Sequence, residues 1–469
     1  MRERNLGWRL AAPAGLALCL AAGPALAAEA DASARLADLA ARIEAQERLL
    51  ARAQADLAAQ KAELEALLAA GGGAVAPREA AAVEQIAVAP APAAPATAPT
   101  EPAIRISGAL RTDFRASGAR SVGGAASGFY LAPPDATGRE AIFDATAQYS
   151  HIALAADGPE LLGFSTGAQV ALSFFNGGAL NASYGLNPAA AFVWMSRDGW
   201  TLSFGRRQEV FADREPEMTD TTSALNYSGN AANSPRTQFR IEHRGRIGRD
   251  GRLTAVVALT DPVSTYVSES FSDRTEDNGA PYLEAGLKLA VGPEGERLAW
   301  PAFEAEASGV YGTFRKYYNL APPFEVETKT LSGVAVGGAV RLGPAVGLQG
   351  EVYSGQALGE YSGALGATVN AATRDEISGQ GGWLEAAFQA SPSVRLNLGY
   401  GRDTASRADL NPGSLARNET VFANLFWTPA PRWRLGAETT WRQTGYLRPD
   451  GGLLNNDGLS LHLSAEMRF

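Results

Sequence analysis

The side chains with the clearest chemical potential in this sequence are arginines and carboxylates. Nine arginines and three acids fall on the polar side of segments in which polar and apolar residues alternate. The arginines are Arg105, Arg111, Arg115, Arg236, Arg240, Arg244, Arg395, Arg434 and Arg442, and the acids are Asp113, Glu242 and Glu438. Because a guanidinium binds a carboxylate through two parallel hydrogen bonds, this set favours electrostatic selection of anions.

A second charged group lies between two alternating segments, in residues 206–235. Its members are Arg206, Arg207, Glu209, Asp213, Arg214, Glu215, Glu217 and Asp220. One interpretation is a solvated external loop. The other, which we favour, is a loop that folds toward the arginines, so that acids and arginines face one another across a narrow passage and decide which ions pass.

Enzymatic chemistry has little support in the sequence. The three histidines, His151, His243 and His462, fall on separate predicted strands, and no HExxH or CxxC motif occurs. An enzyme of the hydrolase class would need a serine, a histidine and an acid on neighbouring strands. We therefore predict a protein with no enzyme activity, no cofactor and no metal site.

The N-terminal residues 1–27 have the pattern of an export signal. Three arginines precede an apolar stretch from Leu10 to Leu20, and Ala25-Leu26-Ala27 is a cleavage pattern. Cleavage there removes Cys19, the only cysteine, and changes the formal net charge from −9 to −11, because three arginines and Glu3 are lost. This acidic balance argues against nucleic acid as a partner.

Residues 28–70 are predicted to form a periplasmic coiled coil. Leu36, Ile43, Leu50, Leu57 and Leu64 repeat every seven residues, and the track three residues further on holds Leu39, Gln46, Ala53, Gln60 and Leu67. A lone amphipathic helix is the alternative, but two glutamines at core positions favour an oligomer of defined strand number. Residues 71–103, rich in Gly, Ala and Pro, are predicted to be an extended linker.

The remaining residues, 104–469, predict a β-barrel in the bacterial outer membrane. Leu459 to Phe469 alternate without a break between apolar and polar residues, and the segment ends on an aromatic residue, as the terminal strand of such barrels does. Fifteen further segments alternate in the same way, which gives sixteen antiparallel strands. The connections alternate between short turns, such as Asp198-Gly199 and Gly343-Pro344, and long polar loops.

Several short motifs resemble those of DcaP-type trimeric outer-membrane porins. These motifs are Ile106 to Phe114, Trp200 to Gly205, Phe211 to Asp213 and Ser234 to Arg240. The resemblance implies a homotrimer with a periplasmic coiled coil, a third loop folded into the pore, and passive uptake of small organic anions such as dicarboxylates. This chain departs from the family pattern at Arg206-Arg207, where a Gln-Thr type pair is expected.

The predicted function is therefore a porin, with outer-membrane lipid and lipopolysaccharide around it and small anionic solutes inside it. We predict that the constriction is lined by nine residues: Arg111, Arg115, Glu209, Asp213, Glu217, Arg236, Arg240, Arg434 and Arg442. The alternative is a structural anchor that ties the outer membrane to peptidoglycan through the coiled coil.

Overall fold

A computed structural model describes residues 104–122, 128–135, 138–175, 184–220, 224–231, 235–262, 274–319 and 325–469. Within these ranges the chain forms a closed barrel of sixteen antiparallel strands. The predicted export signal, coiled coil and linker lie outside the described residues.

Each strand pairs with its neighbours in the sequence, and two strands are interrupted. The strands are β1 Ile104–Ser117, β2 Ile142–Thr146 with His151–Asp157, β3 Ser165–Phe175, β4 Tyr184–Arg197, β5 Trp200–Arg207, β6 Arg236–Ile247, β7 Gly251–Thr260, β8 Arg274–Asp277 with Tyr282–Val291, β9 Phe303–Asn319, β10 Glu325–Arg341, β11 Val346–Gln356, β12 Ser378–Ser391, β13 Val394–Ala405, β14 Leu415–Trp427, β15 Trp433–Leu447 and β16 Leu453–Arg468.

The first and last strands close the barrel. Residues 109–117 of β1 pair antiparallel with residues 460–468 of β16, while β1 also pairs with both parts of β2. Because every strand has two neighbours, the sheet has no free edge. The prediction of a sixteen-stranded antiparallel barrel is confirmed.

The barrel is apolar outside and polar inside, the reverse of a soluble protein. On β16, Leu459 and Leu461 are 62% and 51% exposed, whereas Ser460 and His462 between them are 7% and 3% exposed. Successive side chains of a strand point to opposite faces, so one face of each strand meets lipid and the other lines the interior.

The two ends of the barrel differ as the sequence predicts. At one end most turns are short, although residues 292–302 between β8 and β9 form a longer one. Asp198 and Gly199 both have positive φ (51° and 82°), as a two-residue turn with the twist of its strands requires. The other end carries the long loops, and we call it the loop end. Those loops hold a small hairpin of Ser121–Val122 with Tyr130–Leu131 and the 3₁₀ turns Leu358–Tyr361, Ala364–Gly366 and Arg407–Asp409.

Several strands reach further toward the loop end than their alternation predicts. β16 begins at Leu453 rather than near Leu459, and β4 begins at Tyr184 rather than near residue 189. These extensions include polar runs such as Asn455-Asn456-Asp457, which backbone pairing with β15 holds in the sheet. Among the described residues, no helix is long and apolar enough to cross a membrane.

Candidate functional site

The connection between β5 and β6 contacts the inner faces of strands far from its own ends. We call residues 208–231 the inner segment, of which 221–223 lie outside the described part. The backbone N–H groups of Val210 and Phe211 both donate to Oε2 of Glu284 on β8, at 2.5 and 3.0 Å. Ala212 N–H donates to Ser308 Oγ on β9 at 2.9 Å. The segment therefore runs from β5 along the inner wall of β8 and β9.

Two more wall carboxylates accept hydrogen bonds from the main chain of the inner segment. The N–H of Glu217 donates to Glu385 on β12 at 2.6 Å, and the N–H of Thr219 donates to Glu438 on β15 at 2.8 Å. Buried N–H groups require acceptors, and carboxylates are strong ones. We call Glu284, Glu385 and Glu438 the anchor glutamates.

Arg214 ties the inner segment to the acidic wall of β9. Its guanidinium pairs with both Glu304 and Glu306, and its Nη1 donates to Gln349 of β11 at 3.2 Å. Lys288 of β8 also pairs with Glu306, at 2.7 Å. Here the wall carries the acids and the segment carries the arginine, which is the reverse of the arrangement expected from the sequence.

Glu217 makes the opposite kind of contact, with two basic wall residues. Its Oε2 lies 2.7 Å from Nε of Arg395 on β13, and its Oε1 pairs with Arg434 on β15. One carboxylate therefore partly neutralises two arginines from different strands.

The predicted site residues of β1 are buried and paired. Arg111 Nε lies 3.0–3.1 Å from the carboxylate oxygens of Asp113, and its Nη2 donates to the carbonyl of Thr219. Arg115 Nη1 lies 3.3 Å from Oδ2 of Asp220. Both arginines thus hold the inner segment rather than facing open solvent.

Three further predicted residues are also engaged by neighbours. Arg236 Nε lies 3.5 Å from Oε2 of Glu209, and its Cζ lies 4.1 Å from the ring centroid of Tyr361. Arg442 Nε donates to Thr420 Oγ1 at 3.0 Å. All of these side chains are buried inside the barrel.

Asp213 and Arg240 are the remaining two residues of the predicted set. Asp213 is exposed on the inner segment and interacts electrostatically with Lys288 and Arg240. Arg240 pairs with Glu242 at 3.1 Å, and Arg244 pairs with the same carboxylate at 2.7 Å. That the nine residues line the narrowest point stays a prediction.

Sequence reasoning missed the acids of the wall. The anchor glutamates Glu284 and Glu385, and the pair Glu304 and Glu306, were not among the predicted residues. Their spacing carried a signal: Glu304 and Glu306 stand two apart in an alternating segment, so they share the polar face. Their partners could not be read from spacing, because pairing depends on the path of the inner segment.

One match to a hydrolase motif has no matching structural context. Gly163 to Gly167 reads G-x-S-x-G, which in hydrolases places a serine on a sharp turn between a strand and a helix. Here Ser165 begins β3, and the residues that follow it continue as strand.

Comparison with known proteins points to one fold. No protein-family model matches the chain, and no curated protein matches it. The outer membrane channel DcaP of Acinetobacter baumannii is similar in structure, with a TM-score of 0.60, 18% identity, and coverage of 78% of this chain and 97% of that one. An anion-selective porin from Comamonas acidovorans has a TM-score of 0.50, 12% identity, and coverage of 79% and 100%.

The chain has the fold of an outer-membrane porin. The resemblance to DcaP-type porins, drawn from short sequence motifs, is thus confirmed for the barrel. In this porin fold the inner segment occupies the third loop, counted from the N-terminal end of the barrel.

Proposed function

We propose that this protein is a porin through which small hydrophilic solutes diffuse passively across the outer membrane. The observation that carries the proposal is the inverted barrel, with a lipid-facing apolar surface and a polar interior. Sixteen strands enclose enough space for an aqueous channel. The turns at the short end then face the periplasm, and the long loops face outward.

The inner segment is proposed to narrow this channel. It is bonded to β8, β9, β12, β15 and β1, which lie within the run of ten consecutive strands from β8 through β16 to β1. The passage then runs between the segment and the opposite wall, formed by β2 to β6. Asp213 and Glu215 are exposed on the segment, and Arg207, Arg240 and Arg244 belong to the facing wall.

We propose a preference for small organic anions because ion pairing leaves an excess of positive charge on one part of the wall. Most other wall arginines are matched by acids of the barrel or of the inner segment, whereas Arg207, Arg240 and Arg244 have only Glu242 among them as an ion-pair partner in the described structure. Permeation senses the charges at the narrowest point rather than the formal net charge, which is −9 for the whole sequence and −11 for the predicted mature chain. Physiological salt screens charges beyond about 8 Å, so binding is weak and transit is fast.

Planar-bilayer recording of the refolded protein tests this function. We expect stepwise openings. In a KCl gradient we expect a reversal potential that indicates anion selectivity in the wild type and lies closer to zero in Arg240→Ala. A folded protein that inserts without openings would refute the channel. A cation-selective channel unchanged by Arg240→Ala would refute the proposed wall.

The assembly of the protein is a further proposal, and the same coiled coil would reach peptidoglycan in the alternative role of a structural anchor. We propose a homotrimer, held in part by the coiled coil of residues 28–70 in the periplasm. Gln46 and Gln60 at core positions are expected to set the strand number at some cost in stability. Analytical ultracentrifugation of peptide 31–70 tests this, and a monomer at micromolar concentration would contradict it.

A further inference from the structure

The inner wall formed by β2, β3 and β4 carries a group of apolar side chains. Its members, which we call the apolar patch, are Ala153, Ala171, Ala190, Phe192 and Trp194 of β2, β3 and β4. Ala171, Ala190 and Phe192 are buried, and Trp194 is half-buried. An apolar solute lowers its free energy when it leaves water and contacts an apolar surface beside a water-filled passage.

Trp194 lies against the wall in a fixed orientation. It pairs in register with Gly167 of β3, and a Cβ atom at Gly167 would lie 2.5, 2.6 and 2.8 Å from indole atoms Cζ2, Cε2 and Nε1. Because these three ring atoms are almost equally far from the Cβ position, the indole ring lies flat over residue 167. Only glycine, which has no Cβ atom, leaves room for the ring there. One face of the indole is therefore on the wall, and the other is directed into the lumen.

Arg207 lies next to the apolar patch. Its Cζ is 4.9 Å from the ring centroid of Phe192, and its Nη1 donates to Ser203 Oγ at 2.8 Å. These two contacts hold the guanidinium over an aromatic ring, a favourable cation–π position. Its Nε–H is buried and has no acceptor among the described residues.

A second arginine with an unused donor stands on the adjacent strand. Arg240 pairs in register with Ser203, and its buried Nε–H also has no acceptor in the described structure. Glu242 is the carboxylate that pairs with both Arg240 and Arg244. Three guanidinium groups therefore share one acid, so this part of the wall keeps an excess of positive charge toward an incoming anion.

We propose that Arg207, Arg240 and Trp194 form a subsite for an aromatic monocarboxylate. The carboxylate accepts hydrogen bonds from the two arginines, and the ring stacks on the indole face. This inference rests on the proposed porin function and deepens it, because it names a substrate class other than the dicarboxylates implied by resemblance. A second carboxylate would lose hydration over the apolar patch without gaining a partner.

The test measures how carboxylates block the KCl current of the full-length protein in a planar bilayer. The probes are benzoate, cyclohexanecarboxylate of the same charge and similar size, and glutarate as an aliphatic dianion. We expect benzoate to halve the current at a concentration about two- to tenfold lower than cyclohexanecarboxylate, the range given by aromatic stacking. Glutarate is expected to block least.

Two variants assign the effect to the residues. Trp194→Leu keeps an apolar side chain and is expected to abolish the difference between benzoate and cyclohexanecarboxylate. Arg207→Gln is expected to weaken the block by both monocarboxylates. Trp441→Leu, a substitution on the lipid-facing surface, is the control and should behave as wild type. Heat-dependent mobility on gels verifies that each variant is folded.

The outcomes separate this inference from the function on which it rests. An anion-selective channel that binds benzoate no more tightly than cyclohexanecarboxylate or glutarate overturns the subsite and leaves the porin intact. Retention of the benzoate preference in folded Trp194→Leu overturns it as well. The wild-type comparison alone is decisive if the variants do not fold, and a folded protein without any openings overturns both proposals.

Discussion

Glu217 shows how one residue of the inner segment can affect both stability and ion preference. Its carboxylate is shared by Arg395 and Arg434. In Glu217→Gln both arginines lose their charged partner, so we expect a loss of about 1–3 kcal/mol in the free energy of unfolding and a stronger anion preference. Urea unfolding and reversal potentials measure the two effects.

The matched control for this substitution is Glu140→Gln. Glu140 pairs with Arg120 at 2.5 Å, but both side chains are about half exposed, and exposed ion pairs contribute little. An unchanged reversal potential in Glu217→Gln would mean that ions do not pass near Arg395 and Arg434.

Removal of the Arg214 charge is expected to change the ion preference in the opposite direction, toward cations. In Arg214→Gln, Glu304 and Glu306 lose their arginine, and Lys288 remains as the cation that pairs with them in the described structure. The extra negative charge beside the passage should move the reversal potential toward cation preference. A shift toward anions would show that the segment, once released, exposes other charges.

At the scale of elements, the inner segment is held by hydrogen bonds of its backbone as well as by its side-chain ion pairs. Glu284 accepts hydrogen bonds from two of its N–H groups and from the Tyr361 hydroxyl, at 2.8 Å. In Glu284→Ala these donors lose their acceptor, so the segment should become mobile and the single-channel current larger and noisier. Glu284→Gln keeps an acceptor oxygen and should change the current less. Equal currents in both variants would contradict an anchoring role.

The elements themselves were largely predictable, because strand alternation is imposed by the lipid on one side and water on the other. Leu459 to Phe469 could be assigned to a strand and a face without a structure. The first residues of β16, Leu453 to Gly458, could not, since they extend beyond the predicted apolar run and are held in the sheet by backbone pairing with β15. The pairing of Arg214 with Glu304 was equally hidden, as the two are 90 residues apart and meet only through the path of the segment.

At the scale of the whole molecule, the inverted barrel predicts an unusual response to surface charge. Leu463 is 44% exposed on the outer face of β16, within the predicted apolar run, and Ile104 is 69% exposed on the outer face at the first residue of β1. In a membrane barrel, Leu463→Arg should cost about 2–4 kcal/mol and Ile104→Arg, at the end of its strand, about 0–1 kcal/mol. Unfolding in lipid vesicles measures both, and near-zero costs for both would contradict a lipid-facing surface.

Because the anchor glutamates bind the backbone of the inner segment, attachment to the wall and presentation of charge to the passage fall to different groups of the segment. Its bonds to the anchor glutamates use main-chain N–H groups, which any residue except proline supplies. Asp213 and Glu215 are exposed on the inner segment, and their side chains are not needed for the bonds to the anchor glutamates. Substitutions at these two positions can therefore retune which solutes are admitted while the barrel keeps its shape, so that new permeability can arise in this protein through single, structurally inexpensive changes.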